Sequence, residues 1–440
     1  MLRSMLAALL LALPLSAQVV SVKTPASVLT GAAGVISCPA PATGLAPSLS
    51  PAFALQPIQA AVQTFSDERR SIASALTGLF DGAVAAGDPA SPIPAAGVPV
   101  RALEDIHQLK VGSYNVENLF EQVGSHVPDP ANPGKLKKVS DSKPKPEWAL
   151  REEGKIILEN DLDIVTLAEV ENISALRAFN DRFLEGKYRV YLIEGNDERG
   201  IDIAFLVKKD LPFQIEQRSH KEETWVDPVL GGGPRTLFSR DLTSLIVRVP
   251  GKVQPLFVLF GTHYKSKRDR DERDPESVIM RTAQVQRTAE IMARYRDEFS
   301  EDVPMMIAGD FNGAVGEEAI YTPLFEAAGL TDSFDASPNP ASKEDRITHS
   351  YHPRGGPAHY AQMDAVLVSK SLRGAVQSVK VYRYRNPDGA VRPIPKTYEE
   401  RERNPSDHFP LLVTFDFTPI REGPKGLGPN GSLKMTPKVP

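Results

Sequence analysis

The sequence is poor in cysteine, and this limits the ways in which the fold can be stabilised. Its single cysteine, Cys38, cannot form an intrachain disulfide, so stability must come from a packed core and from any bound ions. The formal net charge of −5 excludes a basic surface over the whole chain, although a local basic groove for nucleic acid stays open. Beyond the N-terminus, no apolar run is long enough to span a bilayer.

The first residues, 1–17, have the pattern of a signal peptide. Arg3 supplies a positive charge, an apolar run extends from Leu6 to Leu13, and the small residues Ser16 and Ala17 suit cleavage. The apolar run is too short for a membrane anchor. We therefore expect a secreted or periplasmic protein without stable membrane insertion.

Composition divides the rest of the chain into three segments. Residues 18–104 are rich in Ala, Pro, Ser and Gly, which is typical of a linker or pro-segment, with one short amphipathic helix predicted near residues 60–79. This segment carries none of the candidate site residues. A single catalytic domain is predicted over 105–418. Residues 419–440 are rich in Pro, Gly and Lys and are expected to be disordered.

The segment 105–418 contains about ten apolar stretches of strand character and only four or five helical patterns. This proportion is too rich in strands for a simple doubly wound sheet. It favours an α/β protein in which two sheets pack face to face and helices cover the outside.

Polar side chains stand at the ends of many of these predicted strands. In MMIAGDFNG, residues 305–313, an apolar strand ends in Asp310 and Asn312, which share a face in an extended backbone. For this motif alone, an Asx turn that caps the strand is the commoner explanation. The same arrangement recurs at other strand ends, at Asn115, Glu169, His263, Asp364, Asp407 and His408. Caps are a poor explanation for the whole set, so we expect these side chains to converge on one site.

The residue types in this set suit phosphodiester hydrolysis with a hard divalent ion. Such an ion takes one or two carboxylates and keeps positions free for water and phosphate oxygens. Glu169 is the best single ligand candidate, supported by Asp310, Asn312 or Asp407. Mg²⁺ or Mn²⁺ is expected, and Ca²⁺ is an alternative at a distal structural site.

Two histidines have separate predicted roles. His408, paired with Asp364, is predicted to take the proton from an attacking water, because a carboxylate fixes the tautomer of the ring. His263 is predicted to donate a hydrogen bond to the phosphate as charge develops. A zinc site formed by His349, His352 and His359 is disfavoured, since their spacing matches no common motif, and they are expected to be ordinary strand and loop histidines.

The blocks YNVEN, LAEVEN, SRDL, GTHYKSK, GDFN, MDAVLVS and SDHFPL follow one another over about residues 109–417. In this order they resemble the endonuclease/exonuclease/phosphatase superfamily, most closely secreted bacterial deoxyribonuclease-like nucleases. The resemblance implies a four-layer sandwich of two mixed β-sheets flanked by helices, and a divalent-metal-dependent phosphoric ester hydrolase. It places Asn115, Glu169 and Asp407 around the metal, Asp310 and Asn312 at the water and phosphate, and Arg240 of SRDL at the substrate backbone.

Three features depart from the superfamily pattern or leave a choice open. The polar loop at 121–148 is either a wall of the substrate groove or an ordinary surface loop. Asp202 is the nearest acid to the position that supports the phosphate-binding histidine in the deoxyribonuclease-like branch, and its role stays undecided. Lys265 and Lys267 belong either to a phosphate-contacting loop or to a solvated turn.

The substrate is the least determined property. A monomeric endonuclease that hydrolyses DNA or RNA is favoured. Hydrolysis of phospholipid, sphingomyelin or inositol phosphate is the alternative, and a non-catalytic binding module is a remote one. A lipid hydrolase would need an exposed apolar hairpin. The nearest candidate is TWVDPVLGGGP, residues 224–234, which is expected to be a loop beside Arg240.

Overall fold

The structure, a computed structural model, describes residues 99–121, 126–128, 136–138, 143–229, 231–268, 273–353 and 356–422. The predicted signal peptide, the predicted helix near residues 60–79 and most of the predicted tail lie outside these residues. Ordered packing begins before residue 105, since Arg101 Nη2 donates to Asp163 Oδ1 at 2.8 Å and Leu103 packs on the core. The last helix continues past residue 418, with Ile420 buried.

The strands, numbered in chain order, are β1 (Gln108–Leu119), β2 (His126–Pro128), β3 (Leu136–Lys138), β4 (Ile164–Val170), β5 (Tyr188–Leu192), β6 (Asp202–Lys208), β7 (Gln214–Arg218), β8 (Thr224–Asp227), β9 (Gly231–Thr236), β10 (Thr243–Arg248), β11 (Phe257–His263), β12 (Met305–Asp310), β13 (Thr331–Asp332), β14 (His349–Tyr351), β15 (His359–Ala361), β16 (Asp364–Val368), β17 (Val376–Val381) and β18 (Leu411–Asp416). The α-helices are α1 (Glu147–Glu159), α2 (Ile173–Phe183), α3 (Val278–Glu298), α4 (Thr322–Phe325), α5 (Ser333–Ala336), α6 (Lys370–Arg373), α7 (Tyr398–Arg401) and α8 (Phe417–Glu422). Among the described residues, no helix combines the length and the apolar character needed to cross a membrane.

Two six-stranded sheets form the centre of the fold. Their strand orders are β17–β18–β1–β4–β6–β5 and β13–β16–β12–β11–β10–β7. Each sheet is mixed: β1 is parallel to β4 and antiparallel to β18, and β12 is parallel to β11 and antiparallel to β16. The described residues also form three two-stranded sheets, β2–β3, β8–β9 and β14–β15.

Three apolar clusters produce the layers. Between the sheets, Val111 and Ile164 of the first sheet pack with Leu259 and Val366 of the second. On the outer face of the first sheet, α1 and α2 bury Ile157 and Phe179, among other residues. On the outer face of the second sheet, α3 and α4 bury Val285, Met292 and Leu324. The predicted four-layer sandwich of two mixed sheets is therefore confirmed.

Gly261, on β11, allows the two sheets to approach each other closely near one end. A Cβ atom at this position would lie 2.6 Å from Ile203 Cγ2 and 2.8 Å from Phe205 Cζ, both on β6 of the opposite sheet. Such distances are shorter than ordinary carbon contacts of about 3.5–4.0 Å. The absence of a side chain at Gly261 therefore sets the local distance between the sheets.

Candidate active site

Strand ends from both sheets meet at one end of the sandwich. Because β1 and β4 are parallel, their C-terminal ends lie at the same edge, and β11 and β12 are related in the same way. The antiparallel strands β16 and β18 begin at that edge. This topology brings together Asn115 and Glu169, with Asp407 and His408 from the first sheet, and His263, Asp310 and Asp364 from the second.

His408 and Asp364 form a buried pair at the centre of this cluster. His408 Nδ1 lies 2.7 Å from Asp364 Oδ2, and both residues are buried. Burial lowers the pKa of His408, but the carboxylates of Asp364 and Asp310 outweigh it and hold that pKa well above its ordinary value. The other ring nitrogen, Nε2, lies 3.7 Å from Asp310 Oδ2 and 3.5 Å from Asn115 Nδ2. Asp364 thus orients the imidazole so that Nε2 faces the centre.

The GDFN segment holds Asp310 rigidly. Asp310 Oδ1 accepts a hydrogen bond from Asn312 N at 2.7 Å, which is the Asx turn considered from the sequence. Its second oxygen, Oδ2, accepts from Asn115 Nδ2 at 3.0 Å and faces the centre. Gly309 has φ 145°, and a Cβ there would lie 1.9 Å from Thr262 O, so only glycine fits before Asp310. Capping and function therefore use different oxygens of one carboxylate.

Asn115 and Asn312, both predicted at the site, are partly committed to the protein. Asn115 Oδ1 accepts from Glu117 N at 2.9 Å, so its amide nitrogen is the group directed at Asp310. Asn312 Nδ2 donates to Tyr264 O at 2.9 Å. Both amides therefore fix the position of Asp310 and of the neighbouring backbone.

Glu169 and His263 face each other across the seam between the sheets. Glu169 lies in the left-handed region, with φ 68°, and its Oε2 accepts from Asn118 N at 3.1 Å. Its Oε1 lies 3.9 Å from His263 Nε2, which is itself 3.5 Å from Asp310 Oδ2. Burial raises the pKa of Glu169 and lowers that of His263 well below its ordinary value. His263 is therefore a neutral imidazole near pH 7.

Asp202 does not support His263. Asp202 Oδ1 accepts from Gly195 N at 2.7 Å, and burial raises the pKa of Asp202 to about 7. His263 Nδ1 is buried and has no hydrogen-bond partner within the described part of the chain. Asp202 therefore stabilises the turn at Gly195 and does not orient His263.

Two residues outside the predicted set also belong to the cluster. The His349 ring lies 4.5 Å from the His408 ring, centroid to centroid, and its Nε2 lies 3.6 Å from Asp407 Oδ2. Glu117 Oε2 accepts from Asp407 N at 3.1 Å, and its Oε1 pairs with Arg401. Burial raises the pKa of Glu117 to about 7, to which the Asp407 charge also contributes.

These contacts make His349 part of the site, and they lower the pKa of Asp407. His349 lies on a strand as expected, but it is not an ordinary strand histidine, because it contacts the site. His352 bonds to Pro395 O and His359 is exposed beside Tyr351, so both remain ordinary. Burial would raise the pKa of Asp407, but His349 and His408 outweigh it and hold that pKa well below its usual range.

The three cations predicted to bind substrate have protein partners. Arg240 is buried, with Nε 3.1 Å from Asp197 Oδ2 and Nη1 donating to Tyr264 O at 3.0 Å. Lys265 Nζ donates to Arg268 O at 2.7 Å, and Lys267 Nζ lies 2.9 Å from Glu318 Oε1. Arg240 and Lys265 therefore hold the loop that follows His263, and Lys267 links this loop to Glu318.

Lys145 ties together the two loops that carry Glu117 and Asp407. Its Nζ donates to Val116 O at 2.7 Å, Glu117 O at 3.2 Å and Pro405 O at 2.6 Å. It also lies 3.0 Å from Glu153 Oε1, and both side chains are buried. Lys145 lies in the predicted 121–148 loop, so this end of the loop is part of the site's support.

No family model and no curated protein matches the sequence. Solved structures do align with the chain. TDP2 from C. elegans does so with a TM-score of 0.44 and 18% identity, over 70% of this chain and 75% of that chain. An endonuclease/exonuclease/phosphatase family protein from Bacteroides thetaiotaomicron aligns with a TM-score of 0.45 and 16% identity, over 70% of this chain and 94% of that chain. A mannosyl-6-phosphatase from the same organism aligns with a TM-score of 0.44 and 16% identity, over 69% of this chain and 98% of that chain.

The fold and the site agree with what the sequence resemblance implied. The two mixed sheets form a four-layer sandwich, and the motif blocks named from the sequence supply the side chains that meet at one end of it.

Proposed function

We propose that the protein is a divalent-metal-dependent phosphoric ester hydrolase that cleaves phosphodiester bonds in nucleic acid. The observation that carries this proposal is the buried His408–Asp364 pair, whose free Nε2 faces a cluster of carboxylates. The signal-peptide pattern at residues 1–17 further supports action outside the cytoplasm.

The chemistry of the cluster fits a hard cation. Three carboxylates border the centre: Glu169 Oε1 lies 3.9 Å and Asp310 Oδ2 3.5 Å from His263 Nε2, and Asp407 Oδ1 lies 3.9 Å from His408 Nε2. Glu169 and Asp407 would hold the ion, and Asp310 faces the same centre. A bound Mg²⁺ or Mn²⁺ would supply Lewis-acid polarisation of a phosphoryl oxygen.

The protein's own groups then divide the remaining work. In its neutral form, which a cation beside the carboxylates would favour by offsetting their charge, His408 takes the proton from the attacking water at Nε2, while Asp364 holds the Nδ1–H and keeps the ring oriented. The water oxygen bonds to phosphorus as the P–O bond to the leaving group breaks, and the leaving oxygen is protonated by solvent. Asp310 Oδ2 lies between His408 and His263 and positions the water. His263, a neutral imidazole, donates Nε2–H to a phosphate oxygen as negative charge develops there.

A second candidate, hydrolysis of a phospholipid, has one specific observation in its favour. The strands β8 and β9 pair antiparallel as a β-hairpin, where the sequence predicted a loop. Val226 and Val229 are 55% and 61% exposed on it. Exposed apolar side chains on a hairpin suit insertion into a lipid surface. The internal ion pairs of Arg240 and Lys267 also fit a small headgroup substrate.

Metal dependence is tested first, with bis(p-nitrophenyl) phosphate as a diester and p-nitrophenyl phosphate as a monoester. Activity should be lost after removal of metal with EDTA and return with Mg²⁺ or Mn²⁺. The diester should be the better substrate. Full activity in excess EDTA, after metal has been stripped, would contradict the proposed chemistry.

The nucleic acid is tested by binding. His408→Ala protein in Ca²⁺ is titrated with single-stranded DNA, duplex DNA and phospholipid vesicles across a salt series. In a plot of the logarithm of the binding constant against the logarithm of the salt concentration, each neutralised phosphate should contribute about −0.7 to −0.9 to the slope. Arg199→Ala, which removes a cation that is 42% exposed and 3.9 Å from Glu169, should weaken binding to all sequences and flatten the slope by about one unit. Arg373→Ala, at the opposite end of β16, is the matched control. A flat series together with vesicle binding would favour the lipid substrate.

A further inference from the structure

A cleft of about 650 Å³ lies against the candidate site. Its inner wall includes Glu117 and Arg401, which both contact Asp407. Its outer wall includes two exposed aromatic side chains, Trp148 at the start of α1 and Tyr398 at the start of α7. They are 48% and 40% exposed, so part of each side chain is accessible to a ligand.

The walls of the cleft are held in place by buried or paired groups. Lys145, another lining residue, is fixed by Glu153 and by three backbone carbonyls. Arg401 pairs with Glu117, and Arg199 donates to Asn118 Oδ1 at 2.8 Å. The cleft is therefore a built feature next to the site, in which aromatic surface lies beside two lining cations that are accessible, Lys143 and Arg199.

We propose that this cleft binds the base of a nucleotide whose phosphate lies at the His408 centre. The inference rests on the proposed function and deepens it. Aromatic side chains bind bases of any sequence by stacking, and adjacent cations attract the backbone. A volume of about 650 Å³ is in the range of small-molecule pockets and is too small for a duplex. A base paired within a duplex cannot stack on Trp148, so the site selects single-stranded or frayed substrate.

The two tryptophans of the sequence make this inference directly measurable. Trp225→Phe leaves Trp148 as the only tryptophan. In a His408→Ala/Trp225→Phe protein with Ca²⁺, oligothymidylate should quench the Trp148 fluorescence, at the same concentrations that give binding by anisotropy. Trp225→Phe alone is the matched control and should leave binding unchanged.

The role of the base itself is isolated with an abasic oligonucleotide. Trp148→Ala should weaken oligothymidylate binding by about 5- to 150-fold, the loss of one stacked base. Binding of the abasic strand should not change. Trp148→Phe, which keeps an aromatic face, should restore most of the affinity and guards against loss of folding.

Each other outcome is decisive. Unquenched Trp148 at saturating oligothymidylate would overturn the base subsite, and so would an equal loss of affinity for the abasic strand. In both cases salt-dependent binding would leave the proposed nuclease function standing. Absence of any oligonucleotide binding at low salt would instead overturn both the subsite and the nucleic acid substrate.

Discussion

Replacement of Lys145 with methionine should destabilise the protein strongly, although it removes only one charge. Methionine fills much of the same volume, but Glu153 keeps a carboxyl group in a fully buried position, and the carbonyls of Val116, Glu117 and Pro405 lose their donor. Removal of one partner from a buried ion pair costs about 3–5 kcal/mol. Burial outweighs the charge of Lys145 and raises the pKa of Glu153 to about 8, so near pH 7 the acid already holds its proton for most of the time. The expected loss therefore lies at the lower end of that range.

Urea unfolding, followed by circular dichroism and by tryptophan fluorescence, measures this loss. The two probes should give coincident transitions, and the midpoint should fall without a change in slope. Lys143→Met changes an exposed lysine two positions earlier, and its effect should stay within about 0.5 kcal/mol. The double variant Lys145→Met/Glu153→Leu should recover part of the loss, because it removes the uncompensated acid. A fall of less than about 1 kcal/mol in the free energy of unfolding of Lys145→Met would refute the proposed role of Lys145 in joining the two loops.

Three further predictions concern the site and the residues that support it. His408→Ala should lower turnover by roughly 10² to 10⁴, the usual range for a positioned proton-transfer group, and Asp364→Asn should reproduce part of that loss; an unchanged rate in Asp364→Asn would contradict the pairing. Gly309→Ala should cost more than about 4 kcal/mol or prevent folding, because its Cβ would overlap Thr262 O, whereas Gly374→Ala, which has open space around it, should be tolerated on the same urea assay. Burial raises the pKa of Asp202 to about 7, so the folded state holds this proton more tightly than the unfolded state, and the stability it contributes at low pH is lost as pH rises through 7. Asp202→Asn keeps the acceptor for Gly195 N and should flatten this fall; parallel stability curves for the two proteins between pH 5 and 8 would contradict it.

The central strands were predictable because their apolar runs record burial on both faces. All ten predicted stretches contain strands of the two sheets, from β1 to β18. The two strands that were missed are the outer strands of the second sheet. In β7, QIEQR, only Ile215 is buried, and β13 has two residues, so neither carries a periodic signal. The outer strands of the first sheet, β5 and β17, were predicted because YRVYL and VQSVKV each contain several aromatic or β-branched residues.

The site was predictable as far as strand order could carry it. Polar residues at strand ends converge because parallel neighbours end at one edge, which requires no knowledge of tertiary contacts. Glu117 was missed because the backbone is not extended there, with φ 42°, so alternation along the strand gives no guide to its side chain. His349 could not be found in this way, because its place depends on the bridge between β14 and the start of the last strand. The protein partners of Arg240 and Lys267 likewise arise from the tertiary fold.

Gly261 gives the candidate site a mechanical dependence on the core. Asp364 and His408 belong to different sheets, so the 2.7 Å bond between them is also a measurement of how far apart the two halves of the sandwich stand. Gly261, two residues before His263, sets that separation because it has a hydrogen atom in place of a Cβ. A methyl group there would act as a wedge. Positioned catalytic groups tolerate displacements of only about 0.5 Å. The packing between the sheets therefore controls the geometry of the candidate site.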